Sequence, residues 1–224
     1  MSAVSETDSG PQAAAGSRAS SRGGPRRGSA RVRLLQAMMA LDDHRSVQEH
    51  SVEELAAIAG VAKGSVYYQF GSKENLVRQM LVHGAEELQR IMDDLDDVGD
   101  LASVRASLTA QIRAAFAFLR EYPSFTGLVA YALARRRDDE SQQLRAEKEA
   151  IVGLLTDRLA RLDAARVAEG HAETPSSPAR LEIMATSLLS AAVTLSIEQH
   201  TTHQEWSEED CVQALVAMSA GGLG

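Results

Sequence analysis

Residues 51–70, SVEELAAIAGVAKGSVYYQF, decide the fold, because two short apolar-periodic runs meet there at a Gly-Val corner with no room for a loop. That spacing predicts a helix-turn-helix. Ser51 followed three residues later by Glu54 is a capping box, so the first helix starts at about Ser51. Leu55, Ala56 and Ile58 are expected on its inner face, and Gly60 stands where the chain needs a positive φ to stop. Val61 plugs the corner. Val66 and Phe70, four apart, face inward from the second helix and leave Lys63, Gly64, Ser65, Tyr67 and Tyr68 outside.

That outward set is rich in donors and aromatic rings, the composition of a helix face that enters a major groove. Lys63 and Ser65 can reach base edges or phosphates, and the Tyr67 and Tyr68 hydroxyls can reach either. The same pattern also fits a plain helical hairpin with a solvated face. Gly71-Ser72-Lys73-Glu74-Asn75-Leu76 follows at once, with Ser72 an N-cap and Lys73 beside exposed amides that attract an anion, which makes Lys73 a candidate phosphate clamp.

Taken together, VEELAAIAGVAKGSVYYQFGSKENLV closely resembles the DNA-binding segment of the TetR family of bacterial repressors, and the resemblance covers roughly residues 30–80. It implies an all-α chain in which a three-helix DNA-binding unit is joined by a long helix to a helical ligand-binding and dimerisation unit. The implied partners are a palindromic double-stranded DNA operator, a small-molecule effector and a second copy of the chain. Two departures from the family pattern stand out. Asp42 and Ser46 lie in a polar run where an aromatic or apolar residue and a Gly are usual, and Ala62 opens the recognition helix where Ser or Thr is common.

The net charge of −8 is unevenly spread: residues 1–80 hold 10 Lys/Arg against 8 Asp/Glu, and residues 81–224 hold 13 against 23. An acidic body that repels DNA and a basic end that carries the motif suit a protein that binds through one end. Residues 1–28 are rich in Ser, Gly, Ala and Pro and carry Arg18, Arg22, Arg26 and Arg27, which reads as a disordered basic arm, either touching phosphate beside the main site or remaining a solvated tail. Residues 29–75 form the DNA-binding unit, braced by a first helix that presents Arg31, Leu34, Leu35, Met38 and Leu41 at helical spacing. With Ser51, Arg31 completes the expected DNA-facing set.

Residues 76–224 are the second unit. A long helix runs from Lys73 to about Leu95, its acidic end DDLDD being unfavourable at a helix C-terminus. Asp100 caps the next helix, and Pro123 ends it. Ser124 is expected to cap the helix after that, which runs to the Arg135-Arg136-Arg137 cluster. A charged helix from about Asp139 to Glu169, the linker GHAETPSSP, a helix opened by Ser177-Pro178 and a last one opened by Ser207 complete the chain. Strand patterns are absent.

Five of the nine aromatic residues fall between Phe116 and Tyr131. Clustered aromatics suit either a core or a small-molecule pocket. With the family resemblance, Phe116, Tyr122, Phe125, Tyr131 and Met184 are the expected ligand-binding set. The resemblance likewise implies dimerisation through the last two helices, with Leu181, Leu188, Ala192, Leu195, Val212 and Leu215 as the expected contacts. No apolar run approaches a membrane span and no secretory apolar core opens the chain, so a cytoplasmic protein is expected. Cys211 is alone and reads as a small apolar filler. His200 and His203 share a helix end without a third ligand close by, and no phosphate loop or nucleophile motif occurs. No metal, cofactor or catalytic residue is therefore expected. The function implied is a ligand-responsive repressor; a constitutive or architectural DNA-binding protein without a ligand is the alternative.

Overall fold

A computed structural model describes residues 30–42, 47, 49–93, 99–134 and 142–221. Among them the backbone forms nine helices and no strand. Helix α1 spans Ala30–Met39, α2 Val52–Ile58, α3 Lys63–Phe70 and α4 Lys73–Asp93. Helices α5 (Leu101–Glu121), α6 (Pro123–Ala134), α7 (Gln142–Ala168), α8 (Pro178–Thr201) and α9 (Glu208–Gly221) build the body.

The helix starts follow from their caps. The Ser51 hydroxyl accepts from the Glu54 amide at 3.1 Å while the Glu54 carboxylate accepts from the Ser51 amide at 2.7 Å. Asp100 accepts from the Ser103 amide at 2.9 Å, Ser177 from Arg180 at 3.3 Å with Pro178 in the first turn, and Ser207 from Asp210 at 3.1 Å. These bonds satisfy amides that have no partner inside their helix. Ser124 differs from expectation. Helix α6 already begins at Pro123, whose missing N–H costs nothing there, and the Ser124 hydroxyl instead donates to the Leu41 carbonyl at 2.7 Å.

One apolar cluster runs from the helix-turn-helix into the body, from Leu34 and Met38 through Leu55, Phe70 and Met80 to Phe116, Leu188 and Leu215. Helix α4 is its spine, touching α1 and α3 at one end and α5, α6 and α7 at the other. The closest approach is at Gly84. A Cβ built there would lie 2.1 Å from the Phe125 ring, so the absent side chain is what lets α6 seat against α4. Phe125 is fully buried and meets Phe118 edge-on at 5.6 Å. The linker between α7 and α8 is fastened by buried Asp163, which accepts from the Ser176 amide at 2.6 Å and hydroxyl at 3.0 Å. Arg113 and Arg120 of α5 pair with Glu209 and Glu208 of α9.

Several expectations need correction. Ile58 is 48% exposed, because α2 is a seven-residue helix whose last turn already leaves the core. Helix α4 is described as far as Asp93, so its expected end near Leu95 lies outside the described residues. Contrary to the hydropathy expectation, α8 has the length and composition of a membrane crossing. Leu181, Ala185, Leu188, Leu189 and Val193 turn one face of it into the bundle, and Glu182, Thr186, Ser187 and Thr194 lie exposed on the other, which is the pattern of a bundle helix. The basic arm, Ser46, the Asp94–Asp97 run with Leu95, and Arg135–Arg137 lie outside the described residues. Cys211 is buried as expected.

Gly84→Ala is expected to lower stability to urea by about 1–3 kcal/mol through overpacking against Phe125, with part of the loss recovered when Phe125→Leu is added. A second measurement concerns the Arg113–Glu209 pair, where hydrogen bonding to the guanidinium holds the Glu209 carboxyl down at about 2. A carboxyl with a lowered pKa adds stability above the ordinary carboxylate range and loses it as pH falls towards 2. Arg113→Ala is expected to raise the Glu209 titration towards that ordinary range, read by NMR, with the Gln213 hydrogen bond still holding it somewhat low.

Candidate nucleic-acid interface and effector cavity

The corner between α2 and α3 is built by the backbone. Gly60 adopts φ +65°, and its neighbour Val61 donates from its amide to the Ala56 carbonyl at 2.9 Å, which closes α2 and turns the chain into α3. Val66 and Phe70 are buried against Leu55 and Ala56, so the opposite face of α3 faces outward. Lys63, Gly64, Ser65, Tyr67 and Tyr68 are all exposed, Tyr68 at 87%. A large aromatic ring left in water at that fraction serves no packing purpose. A Cβ at Gly64 would meet nothing within 4 Å, so this part of α3 is open to a close neighbour. Ala62 opens α3 without a side-chain cap.

The charged residues around this face are held in place. Lys63 pairs with Glu53 of α2 and lies 5.6 Å from the centre of the Tyr67 ring. The Glu53 hydrogen bond raises the Lys63 ammonium above its ordinary pKa and lowers the Glu53 carboxyl. Glu53 was missed by the sequence reading, because nothing in the spacing of residues 53 and 63 shows that the corner brings them together. Arg31 does not join the outward face. Its guanidinium donates to the Gln69 carbonyl at 3.2 Å and sits 5.1 Å from the Phe70 ring, so it braces the end of α3.

Lys73 is half-buried in the first turn of α4, one turn beyond the recognition helix. Ser72 caps that turn through the Asn75 amide at 3.1 Å, and Asn75 ties back to the Phe70 carbonyl at 2.7 Å. Arg78 in turn holds the Asn75 side-chain oxygen at 2.6 Å. The start of α4 is therefore fixed relative to α3 by side chains as well as by the peptide. Ser51, by contrast, is exposed and spends its hydroxyl on the α2 cap.

A narrow cavity lies inside the body. Leu88 and Met92 of α4, Ile112, Phe116 and Leu119 of α5, Ile151, Leu154 and Leu155 of α7, Leu188, Leu189 and Ala192 of α8, and Leu215 of α9 form its wall. Every lining residue is apolar. Ligand sites in helical bundles commonly lie between the helices in this way. Of the expected ligand set only Phe116 lines it. Phe125 is spent on the Gly84 contact, Tyr122 stands beside Phe118 at 4.7 Å in the α5–α6 corner, and Tyr131 and Met184 are half-buried away from the cavity. Aromatic clustering marked the region, but aliphatic side chains from five helices make the wall.

The expected dimer contacts are also redistributed. Leu181, Leu188, Val212 and Leu215 are buried within the single chain, with Leu188 and Leu215 facing the cavity, and Ala192, which also lines it, and Leu195 are half-buried. A side chain closed inside its own protomer cannot meet a partner. The outer faces of α8 and α9 instead expose Ile183 at 67% and Met218 at 47%, with Thr186, Ser187 and Thr194 alongside. His200 and His203 are engaged by carboxylates, His200 with Asp42 at 2.7 Å and His203 with Glu205 at 3.0 Å, and His203 stacks on Trp206 at 4.1 Å.

Comparison with known proteins agrees with this geometry. Residues 34–80 match the family described as bacterial regulatory proteins, tetR family. No curated protein matches the chain by sequence. Among solved structures, the fold is similar to that of a tetR-family transcriptional regulator from Streptomyces coelicolor, at 21% identity and TM-score 0.56 over 86% of this chain and 79% of that one. It is also similar to the transcriptional regulator FadR from Bacillus subtilis in complex with stearoyl-CoA, at 14% identity and TM-score 0.63 over 85% and 98% of the two chains. The fatty acid degradation regulator FadR from Bacillus halodurans gives 13% identity and TM-score 0.63 over 87% and 96%.

The inward position of Leu215 has a measurable consequence. Leu215→Ala is expected to cost about 2–5 kcal/mol in chemical denaturation, as truncation of a fully buried leucine does.

Proposed function

We propose that this chain is a ligand-responsive repressor that binds a palindromic operator as a homodimer, a reading supported by the match of residues 34–80 to the tetR family of bacterial regulatory proteins. The observation that carries the proposal is one helix serving two sites. Helix α4 starts with Lys73 beside the exposed face of α3, and about four to five turns further on its Leu88 and Met92 form part of the apolar cavity. An effector that fits the cavity better in one setting of α4 shifts the population towards that setting. Operator affinity then changes by the ratio of its affinities for the two states.

In this reading residues 29–75 read DNA and residues 76–224 hold the effector and the dimer contact, with residues 1–28 a basic arm near the duplex. Lys63, Gly64, Ser65 and Tyr68 meet base edges, while Tyr67 and Lys73 hold phosphates. Arg31 and Ser51 support that face from behind, through Gln69 and the α2 cap. A single recognition helix reads few base pairs, and two held about 34–36 Å apart read both halves of a palindrome. The outer face of α8 and α9, with Ile183 and Met218, is the dimer surface that remains once the inward leucines are assigned to the core. The effector carries an alkyl portion, because the wall offers it only apolar contacts; the stearoyl-CoA bound by the Bacillus subtilis regulator is a ligand of that type.

Fluorescence anisotropy against DNA immediately upstream of the protein's own coding sequence, with scrambled DNA as control, tests the proposal. Lys73→Ala is expected to weaken binding to both DNAs and to reduce the salt slope by about one. Tyr68→Ala is expected to reduce discrimination between the two by about 1–3 kcal/mol. Addition of stearoyl-CoA is expected to release the operator. Equal affinity for operator and scrambled DNA at near-physiological salt would show that the recognition face does not read this sequence.

A further inference from the structure

A carboxylate stands beside the recognition face, where a polyanion has to approach. Glu53, in the first turn of α2, reaches across the corner and pairs with Lys63, the first residue of α3, while its neighbour Glu54 turns back to the Ser51 amide. Both side chains of the pair are about half exposed, at 55% for Glu53 and 49% for Lys63. An ion pair so open to water contributes little to stability. Its position relative to α3 is more telling. A cation at the start of a helix is disfavoured by the helix dipole, and Ala62 supplies no side-chain cap there, so Glu53 offsets a charge that the local structure does not favour. The Tyr67 ring lies 5.6 Å from the same ammonium, and the two neighbours together fix its place. The cost falls on DNA binding, because a carboxylate at this edge repels phosphates.

We propose that Glu53 is a positioning residue that determines specificity, by withholding Lys63 from phosphates and leaving it to be satisfied at a base edge. The assignment rests on the DNA-binding reading above and adds to it a residue that acts through Lys63. A lysine ammonium is a compact charge with three donors. Left alone at the rim of a groove it takes any phosphate, and the affinity so gained carries no sequence information. Paired with Glu53 it has no net charge to offer. To meet a phosphate it must either leave the carboxylate or carry the carboxylate against a second anion. A neutral acceptor such as guanine O6 or N7 imposes neither cost, since the ammonium can donate to it with a remaining hydrogen while still bonded to Glu53. The pair thus lowers affinity for DNA in general more than affinity for the sequence that supplies the acceptor, and a difference of that kind is what specificity consists of.

Fluorescence anisotropy of the full chain against a random-sequence duplex, repeated over a series of salt concentrations, tests this without knowledge of the operator. Glu53→Gln is expected to tighten that binding roughly three- to tenfold at about 0.1 M salt and to steepen the salt slope by about one, the change for one newly engaged phosphate. In a Lys63→Ala background the same substitution is expected to change neither. A duplex enriched from a random pool by the unaltered chain is expected to gain less than the random duplex, so that discrimination between the two falls. The melting temperature of Glu53→Gln is expected to stay where it is, which separates the effect from a purely structural one. An unchanged or shallower salt slope in Glu53→Gln overturns the inference while the DNA-binding reading survives. An equal gain in the Lys63→Ala background does the same, because Glu53 would then act as a lone repelling charge. An unaltered chain that binds no duplex even at low salt overturns both.

Discussion

The missing side chain at Gly84 is the constraint on which this architecture depends. Without it Phe125 reaches the backbone of α4, and with Phe125 seated there α6 lies directly across the helix that leaves the helix-turn-helix. Any larger residue would push α6 outward, and with it Ser124, whose hydroxyl holds the Leu41 carbonyl at the end of α1. Close-packed interiors respond to such changes by shifting whole elements, because no free volume absorbs them locally. The body and the helix-turn-helix are therefore positioned relative to one another by a contact at the backbone of Gly84 rather than by the peptide connection alone.

Legibility in the sequence followed the range of the interactions involved. Caps are local, so Ser51 with Glu54, Asp100, and Ser177 with Pro178 could be read directly and stand where expected. The turn at Gly60 is equally local, a single positive φ between two apolar runs. The resemblance in residues 30–80 extended the reading to the outward face of α3, since that segment's inner positions leave one face over. Inside the body the same periodicity gives an apolar stripe on every helix, and a stripe does not say whether it meets the core, a cavity or a second chain. Leu188 and Leu215 fitted the expected dimer face by pattern and turned out to line the cavity. The aromatic cluster misled for a related reason. Phe125 is large because it fills the space above a glycine forty-one residues earlier, a pairing that only the tertiary structure displays.

The electrostatics of the helix-turn-helix follow a similar division. By count the first 80 residues carry only a small excess of positive charge, which by itself gives weak attraction for a polyanion. What the fold adds is placement. Arg31 is withdrawn to the end of α3, Arg78 is tied to Asn75, and Lys63 is held between Glu53 and the Tyr67 ring. Exposed pairs of this kind contribute little to stability. Their effect is to fix where cationic groups stand, and a fixed donor loses less side-chain entropy on meeting a base edge or phosphate than a free lysine does.

Among the described residues, three of the connections between the helix-turn-helix and the body converge on two short stretches of chain. Helix α4 leaves from the Ser72 cap, while the end of α1 is held at two adjacent residues, Leu41 by Ser124 of α6 and Asp42 by His200 of α8. Of these three helices, α4 and α8 contribute directly to the wall of the apolar cavity, and α6 reaches it through Phe125 and Phe118, two residues from Phe116. A rearrangement of the wall thus acts on both ends of the helix-turn-helix together. If α4 alone moved, the Leu41 and Asp42 ties would resist it; if α6 and α8 moved with it, the unit would turn as one body. Coupling between distant sites needs an element with two packed arrangements that both sites bias, and the crossing of α4, α6 and α8 is the element here that touches both.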